Sequence, residues 1–510
     1  MLYRLLLLLC FILKSKLIYS AKILSVFPHI SYSHHQVYKC FVDALLDQGH
    51  QVVTITTQPA YREEQMPINL TQIDVREISH NLWNEEMSKI ITDDFLSCLS
   101  KTSKLFVKLM KTQFQTKNVI ELIENKNITF DLMVLESRSR MALMMSDYYK
   151  VPVIEMSSFD PTIGDLENTG APMQPLLYPQ AANKRIYNLT FTEKLTELYR
   201  NYHIEKMFLD QMYPDFNEAM KSSVLNSTPS IDILQNNIHL TYVNTHPVWD
   251  TIRPVPPSVV YTFGIHLKTS KELTKDLLSY LEASVNGVRY VSFGTTAYVS
   301  QYSGKVQTLM KALSQLPYDV LFKWHEDELE NKPNNVKIAK WFPQADLLKH
   351  PKVKAFITQG GKQSTDEAIG AGVPLIGIPL MWDQWANVEK YVHHGIGVKL
   401  DIEEITEEQI SNAINTVIND MSFRQNIIKL RTILLDTPQS PMDRAIHWAH
   451  YYYLIRHGGA HHLRAPAVNM SNAEFFELEL FLTSAIILLL FCATAFFVGA
   501  ALKPKKWLLT

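Results

Sequence analysis

The feature that most constrains this fold lies near the start of the chain, where two apolar runs flank a helix. Ala21-Lys22-Ile23-Leu24-Ser25-Val26-Phe27-Pro28 is an apolar run closed by a proline, as a buried parallel strand would be. Val37, Phe41, Val42, Leu45 and Leu46 follow at helical spacing, Gly49 stops that helix, and the run from Gln51 to Thr57 reads as the next strand. Strand, crossover helix and strand together imply a parallel sheet. Further strands are expected at Leu132 to Leu135 and at Val151 to Met156.

Arg253-Pro254-Val255-Pro256-Pro257 marks a linker, because prolines at this density break helix and sheet alike. A second α/β pattern begins beyond it. Tyr290 to Gly294 is a strand ending in glycine, a helix covers about Gly304 to Leu316, and Asp319 to Lys323, Val353 to Thr358 and Val373 to Ile378 read as strands. A chain of 510 residues exceeds what one core holds. The expected class is therefore α/β, with two doubly wound, Rossmann-like domains facing each other across a cleft. No internal repeat or low-complexity tract is present.

The two ends are of another kind. Met1 to Arg4 gives a positive start, Leu5 to Leu13 a short apolar run, and Ile18-Tyr19-Ser20 a small residue for cleavage before Ala21, with Lys14 and Lys16 between. Residues 1–20 thus read as a secretory signal. Leu480 to Leu502 carries no charge and would extend about 35 Å as a helix, enough to cross a bilayer core. Glu477 and Glu479 precede it, and Lys503, Lys505 and Lys506 follow, which puts residues 503–510 in the cytosol and the body in the lumen. Of the cysteines, Cys10 lies in the signal and Cys492 in the span. Cys40 and Cys98 remain, enough for one disulfide but no disulfide framework. Sequons begin at Asn69, Asn127, Asn188, Asn226 and Asn469, and a lumenal body would be a glycoprotein. The formal net charge of −2 gives a nucleic-acid partner no electrostatic support.

The chemistry concentrates between Trp341 and Asn387. The segment reads Trp341-Phe342-Pro343-Gln344, then Phe356-Ile357-Thr358-Gln359-Gly360-Gly361, then Ser364-Thr365-Asp366-Glu367, then Pro379-Leu380-Met381-Trp382-Asp383-Gln384. These are the groups a nucleotide-sugar site needs. Trp341 offers a flat uracil an aromatic face. The amide of Gln344 both donates and accepts, so it suits uracil or ribose edges. Two adjacent glycines after a strand let backbone N–H groups approach a pyrophosphate, and a helix beginning near Ser364 points its positive end there. Glu367 can accept from ribose hydroxyls, and Asp383 with Gln384 can accept from and donate to sugar hydroxyls.

At these residues the chain resembles the UDP-glycosyltransferase family, and in particular its insect and insect-virus members. The shared pattern runs from the tryptophan through Pro-Gln and Thr-(His/Gln)-Gly-Gly to a final Asp-Gln, and it extends to the N-terminal start, the linker, the apolar span and the basic tail. The resemblance implies a GT-B fold, with acceptor binding in residues 21–255 and donor binding in 256–440. Residues 441–479 would then be a returning helix and juxtamembrane linker, and 480–502 a transmembrane helix. It further implies inverting transfer of a hexose, glucose above all, from a UDP-sugar co-substrate without a metal or other cofactor. By position Trp341 and Gln344 would hold uracil, Ser364, Gly360 and Gly361 the diphosphate, Glu367 the ribose, and Asp383 with Gln384 the sugar. Ser292 and Gly294 would also approach the phosphates. Many members have histidine where this chain has Gln359, which can donate one neutral hydrogen bond to phosphate but carries no positive charge.

Displacement at the sugar needs a base for the acceptor hydroxyl, and histidine suits this because its ordinary pKa of ~6.5 lies near working pH. The family keeps one at the start of the first helix, where this chain reads Ser33-His34-His35. Counting back from Gly49 selects His34, with His35 adjacent as an alternative. The family's orienting aspartate, just after a later strand, corresponds to Glu136, which can stabilise an imidazolium in the same way but is one methylene longer. Asp131 competes but precedes that strand.

Other features carry less. His457, His461 and His462 sit beside Gly458-Gly459 without a nearby carboxylate, which fits a solvated linker better than a metal site. Gly395-Ile396-Gly397 is too short for a dinucleotide fingerprint. Tyr451-Tyr452-Tyr453 fits a helix packing back across the domains, and Trp382 and Trp385 flank the Asp-Gln pair. Residues of roughly Ala60 to Pro179, rich in Met and aromatics, suit an adaptable apolar acceptor pocket. Phenolics, plant toxins, hydroxynitriles and steroids are the acceptors the resemblance implies, in a detoxifying role. Lys505 and Lys506 lie too far from Thr510 for a dilysine retrieval tail, so residence as a single-pass type I protein of the endoplasmic reticulum membrane follows from resemblance and topology. Membrane lipid around the C-terminal helix and a homo- or hetero-oligomer are the remaining partners. The rival reading is a non-catalytic, membrane-anchored small-molecule binder or partner of active paralogues, which Gln359 and Glu136 would favour.

Overall fold

The computed structural model describes residues 20–90, 95–161, 164–172, 174–268, 271–295, 302–450, 459–468 and 470–501. The expected signal with Cys10, the run Tyr451 to Tyr453, His457, the sequon at Asn469 and the tail with Lys503, Lys505 and Lys506 lie outside these residues.

Two all-parallel sheets form the body. The first has strands β1 (Lys22–Phe27), β2 (Gln51–Thr56), β3 (Leu70–Asp74), β4 (Leu132–Glu136), β5 (Val153–Ser157), β6 (Ile238–Val243) and β7 (Val259–Tyr261), in the order β3-β2-β1-β4-β5-β6-β7. The second has β8 (Val288–Ser292), β9 (Asp319–Lys323), β10 (Val336–Ala339), β11 (Val353–Thr358), β12 (Leu375–Gly377) and β13 (Gly397–Lys399), in the order β10-β9-β8-β11-β12-β13. The central strands are buried along nearly their whole length, as parallel strands covered by helices on both faces must be. Each sheet reverses its order once, between β1 and β4 and between β8 and β11. Such switch points open a crevice at the carboxyl ends of the strands, where ligands bind in folds of this class.

The first crossover helix, α1 (Tyr32–Asp47), buries Val37, Phe41, Val42, Leu45 and Leu46 against the first sheet, the stripe its spacing predicts. Two further helices, α2 (Arg76–Ile90) and α3 (Phe95–Phe114), pack on one another above the same end of the sheet. One expectation is corrected here. The prolines at 253–257 do not end the first domain at residue 255, because β7 follows them and pairs in register with β6. The prolines break local structure, and the chain then returns for one more edge strand before crossing over. Cys40, on α1, and Cys98, on α3, form no disulfide with each other. Among the sequons, Asn69 donates its amide hydrogens to the carbonyls of Leu46 and His50, at 3.1 and 2.7 Å.

After the second domain the chain turns back. A helix over Pro441–Ala449 packs on α1, and Tyr242 donates its hydroxyl to the Ala445 carbonyl at 2.7 Å. The C-terminal helix, Leu478–Ala501, starts two residues before the expected uncharged span. It is long and apolar enough to cross a membrane, and none of its most apolar stretch is buried in the protein.

Candidate active site

The first half of the site is built at the β1/β4 switch point. Pro28 ends β1, and the chain turns through His29 into α1, with Ser31 at its N-cap. His34, in the first turn, is one-fifth exposed, and its Nδ1 lies 3.1 Å from Oε1 of Glu136. Glu136 is the last residue of β4 and is almost fully buried. Its carboxylate also accepts from the Tyr38 hydroxyl at 3.1 Å and from the His29 backbone N–H at 3.2 Å. Burial alone would raise its pKa, but the His29 imidazole and the hydrogen bond from His34 outweigh burial and hold the carboxyl down to about 2. An acceptor-only partner on Nδ1 fixes the His34 tautomer: the proton sits on Nδ1, and Nε2 keeps its lone pair. Phe159 packs edge-on against the ring at 5.1 Å.

The alternatives separate geometrically. His35 is turned into the core, with Nδ1 2.9 Å from the Ser31 carbonyl and Nε2 3.2 Å from the Phe27 carbonyl. Asp131 sits at the opposite end of β4, accepting from the Lys22 N–H at 2.8 Å. Sequence reasoning missed His29. It is buried, its Nδ1 lies 3.3 Å from the same Glu136 Oε1, and its ring stacks on Phe106 at 4.3 Å. Burial lowers its pKa to about 4, so it is neutral at physiological pH. The available signal was its place immediately after Pro28 at the carboxyl end of β1.

The second half is built at the β8/β11 switch point. Ser292 ends β8, and Gly294 follows with φ +73°; a Cβ there would meet the Gln359 amide nitrogen at 2.3 Å. Gln359 is therefore packed against backbone, with its Oε1 buried and unpartnered among the described residues. Gly360 has φ +89°, and a Cβ there would meet Val388 at 2.6 Å and the Gln384 carbonyl at 3.0 Å. Only glycine makes this turn at low cost. Gly361 caps a helix over Lys362–Ala371 without a side-chain cap, so the first-turn N–H groups, including that of Ser364, have no protein acceptor among the described residues and suit an anion.

Gln344 donates to Ser364 Oγ at 2.9 Å and to Glu367 Oε2 at 2.7 Å, which leaves its carbonyl oxygen as the group available to a ligand. Burial raises the Glu367 pKa to about 7, against the pull of the Gln344 hydrogen bond. Trp341 is half exposed; Lys323 Nζ lies 4.5 Å from its ring centroid and donates to the Gly294 carbonyl at 3.0 Å. Lys323 is a second residue that sequence reasoning did not single out. Asp383 caps the helix Gln384–His393 and accepts from Asn387 at 2.9 Å. Gln384 Oε1 accepts from the N–H groups of Leu380 and Met381 at 2.9 and 3.0 Å, so only its NH₂ remains for a ligand. Asp383 is thus the acceptor of the pair and Gln384 the donor.

The halves meet. Tyr32, beside His34, packs edge-on to Trp341 at 5.1 Å. Burial raises the Asp383 pKa, Asp160 adds to the rise, and His34, when protonated, opposes it from across the cleft. Gln363 donates to the Ser158 carbonyl at 2.8 Å, and Lys390 pairs with Asp160 in a buried ion pair between the domains. Beside His29, residues Met87, Ile90 and Leu105 with Leu82, Trp83 and Cys98 form an apolar cluster that Trp382 of the second domain joins. A base with an open Nε2, a buried anion behind it and a facing anion-binding turn can perform direct displacement at a carbon bearing a phosphate leaving group.

Comparison with known proteins shows the family and the fold. The family described as "UDP-glucoronosyl and UDP-glucosyl transferase" matches residues 21–504. The chain is 33% identical over 490 residues to the ecdysteroid UDP-glucosyltransferase of Spodoptera littoralis nuclear polyhedrosis virus, covering 92% of this chain and 94% of that protein. It is 29% identical over 510 residues to UDP-glucosyltransferase 2 of Dactylopius coccus, covering 97% and 95%. The solved structure of CalG4, the calicheamicin glycosyltransferase, shares the fold with a TM-score of 0.58 at 15% identity, over 85% of this chain and 98% of that one. The chain belongs to the UDP-glucuronosyl and UDP-glucosyl transferase family and is a UDP-glycosyltransferase of the GT-B fold.

Proposed function

We propose that this enzyme transfers glucose from UDP-glucose, with inversion and without a metal, to a hydroxyl of a small lipophilic acceptor. The observation that carries the reading is the His34–Glu136 pair at 3.1 Å, standing across the cleft from Asp383. His34 Nε2 takes the hydroxyl proton as the acceptor oxygen attacks the anomeric carbon. The bond from that carbon to the β-phosphate oxygen breaks, and UDP leaves with the electron pair. Ionised Glu136 stabilises the imidazolium so formed. Trp341 stacks on uracil and the Gln344 carbonyl accepts from its N–H, while Glu367 takes the ribose hydroxyls. Gln359, Gly360, Gly361 and Ser364, with Ser292 and Gly294 opposite, hold the diphosphate. Asp383 accepts from sugar hydroxyls and Gln384 donates to them.

Glucose is supported by the viral and Dactylopius coccus relatives above, which are named glucosyltransferases. The apolar cluster of Met87, Ile90, Leu105 and Trp382 favours a lipophilic acceptor, and the ecdysteroid name of the viral relative favours a steroid within the range of phenolics, plant toxins, hydroxynitriles and steroids. The exposed apolar C-terminal helix supports a type I anchor in the endoplasmic reticulum membrane with a lumenal body. The test is to incubate membranes carrying the protein with labelled UDP-glucose, UDP-glucuronic acid and other UDP-sugars against a mixed acceptor panel. Transfer from UDP-glucose to steroid or phenolic hydroxyls is expected; UDP binding without transfer to any acceptor would overturn the reading.

A further inference from the structure

We infer that His29, His34 and Glu136 form a binding site for a divalent transition-metal cation of the zinc class, and that filling it switches sugar transfer off. The switch rests on the reading of His34 as the base; the binding site does not.

Three features carry the site. First, the spacing fits. His29 Nδ1 and His34 Nδ1 stand 3.3 and 3.1 Å from the same Glu136 Oε1, and the three residues bring one ligand atom each to within 4.8 Å of one another. Ligand atoms around a tetrahedral zinc with bonds of ~2.0–2.2 Å are about 3.3–3.6 Å apart. Two imidazole nitrogens and one carboxylate oxygen are the donor set this cation takes, with a fourth position left to water. Second, the cage is rigid. Glu136 ends a central strand, and His29 is held by its own N–H on Glu136 Oε2 and by its stack on Phe106. Third, the second imidazole takes no direct part in the proton transfer and acts only through Glu136. His34 needs one carboxylate oxygen, Tyr38 already donates to that oxygen, and His29 Nε2 is buried without a partner among the described residues. His34, one-fifth exposed, gives the cation its way in from the cleft.

The consequence for catalysis follows from the tautomer. Without metal, His34 carries its proton on Nδ1, and Nε2 is free to accept one. A cation bound at Nδ1 occupies that lone pair, the ring proton then sits on Nε2, and Nε2 can no longer act as a base. His34 moves one proton from Nδ1 to Nε2, neutral His29 binds through Nδ1 with its proton on Nε2, and no proton is released. Metal occupancy and base catalysis exclude each other, while the UDP site, on the other domain, is untouched.

The test uses the full chain in detergent, stripped with a chelator. Cobalt(II), which absorbs visibly in tetrahedral N/O sites, is titrated first, then zinc, and zinc is separately titrated into the transfer assay. One equivalent of cobalt giving an absorption band that zinc bleaches is expected, with at least a tenfold, chelator-reversible loss of transfer and unchanged UDP affinity. His29→Phe keeps a ring against Phe106 and removes the nitrogen; its cobalt band, and the zinc sensitivity of whatever transfer it retains, should vanish or need at least about tenfold more metal. UDP binding by the variant reports that it is folded. Absence of a cobalt band, or a zinc midpoint identical in His29→Phe and the parent, overturns the site. Cobalt bound with transfer undiminished overturns the switch. If the chain transfers no sugar at all, the functional reading fails, and the cobalt titration still decides the site.

Discussion

Replacing Glu136 by glutamine keeps the side chain's shape and removes its charge. In the native site the carboxylate faces His34 Nδ1 and the Tyr38 hydroxyl at 3.1 Å, His29 Nδ1 at 3.3 Å and the His29 backbone N–H at 3.2 Å. A glutamine amide has one accepting oxygen and one donating NH₂. Whichever way it turns, at least one buried donor faces another donor. A buried donor without an acceptor costs about 1–3 kcal/mol of stability, and a domain of this size loses roughly 2–4 °C of Tm per kcal/mol. The effect on transfer is larger, because the imidazolium that forms on His34 loses its buried counter-charge. Removing one partner of a buried pair costs about 3–5 kcal/mol, which is roughly 10²–10⁴ in kcat. Glu136→Asp retains the charge one methylene further back and should lose less. The assay is steady-state transfer from labelled UDP-glucose alongside calorimetric UDP binding. UDP affinity should not change, since the donor residues stand on the other domain. A Glu136→Gln enzyme with kcat within about threefold of the parent would refute the orienting role.

Three further outcomes follow from the geometry. Gly360→Ala pushes a Cβ onto Val388 at 2.6 Å in a left-handed backbone, which should destabilise by about 2–4 kcal/mol in urea unfolding and weaken UDP binding. Glu367, held protonated up to about 7 by burial, accepts ribose hydroxyls better once ionised, so UDP affinity should rise between pH 6 and 8 beyond the change seen in Glu367→Gln, which corrects for titration of the nucleotide's own phosphate. Because the folded pKa of this acid is raised, its contribution to the stability of the ligand-free protein is full below ~4.3 and is lost as pH rises through about 7, and melting curves of parent against Glu367→Gln check the sign. Asp160→Ala leaves Lys390 buried without its partner and should cost about 3–5 kcal/mol, most of which Asp160→Ala/Lys390→Met recovers; equal losses in single and double variants would contradict the pairing.

Much of this architecture was legible in residue order. Near-continuous apolar runs announce β1, β2, β4, β8 and β11, among them the four strands that flank the two switch points. The strands that went unread, β3, β6, β7, β10 and β13, lie towards the sheet edges or are interrupted by polar residues, and periodicity is weakest there. β7 was hidden because the prolines before it look like a domain boundary. Within the site, Gly360 could be picked out because strand-to-helix turns have local chemistry, and His34 because the family resemblance marks the start of the first helix. His29 could not, since its meaning comes from the pairing of β1 with β4, more than a hundred residues apart in the chain. The division of labour between Asp383 and Gln384 was equally invisible: it depends on which amide atom the Leu380 and Met381 N–H groups claim. Lys323 reads as an ordinary strand-end lysine until the fold brings it over Trp341.

The most direct test of the central claim is His34→Ala, measured for UDP-glucose transfer and for UDP binding in the same preparation. The donor site and the base stand on different domains and meet only across the cleft, so the two readouts should part. Transfer should fall by about 10²–10⁴-fold, the share a positioned general base supplies, while UDP binds as in the parent. A His34→Ala enzyme that still transfers glucose at near-parental rate with UDP bound would contradict the account.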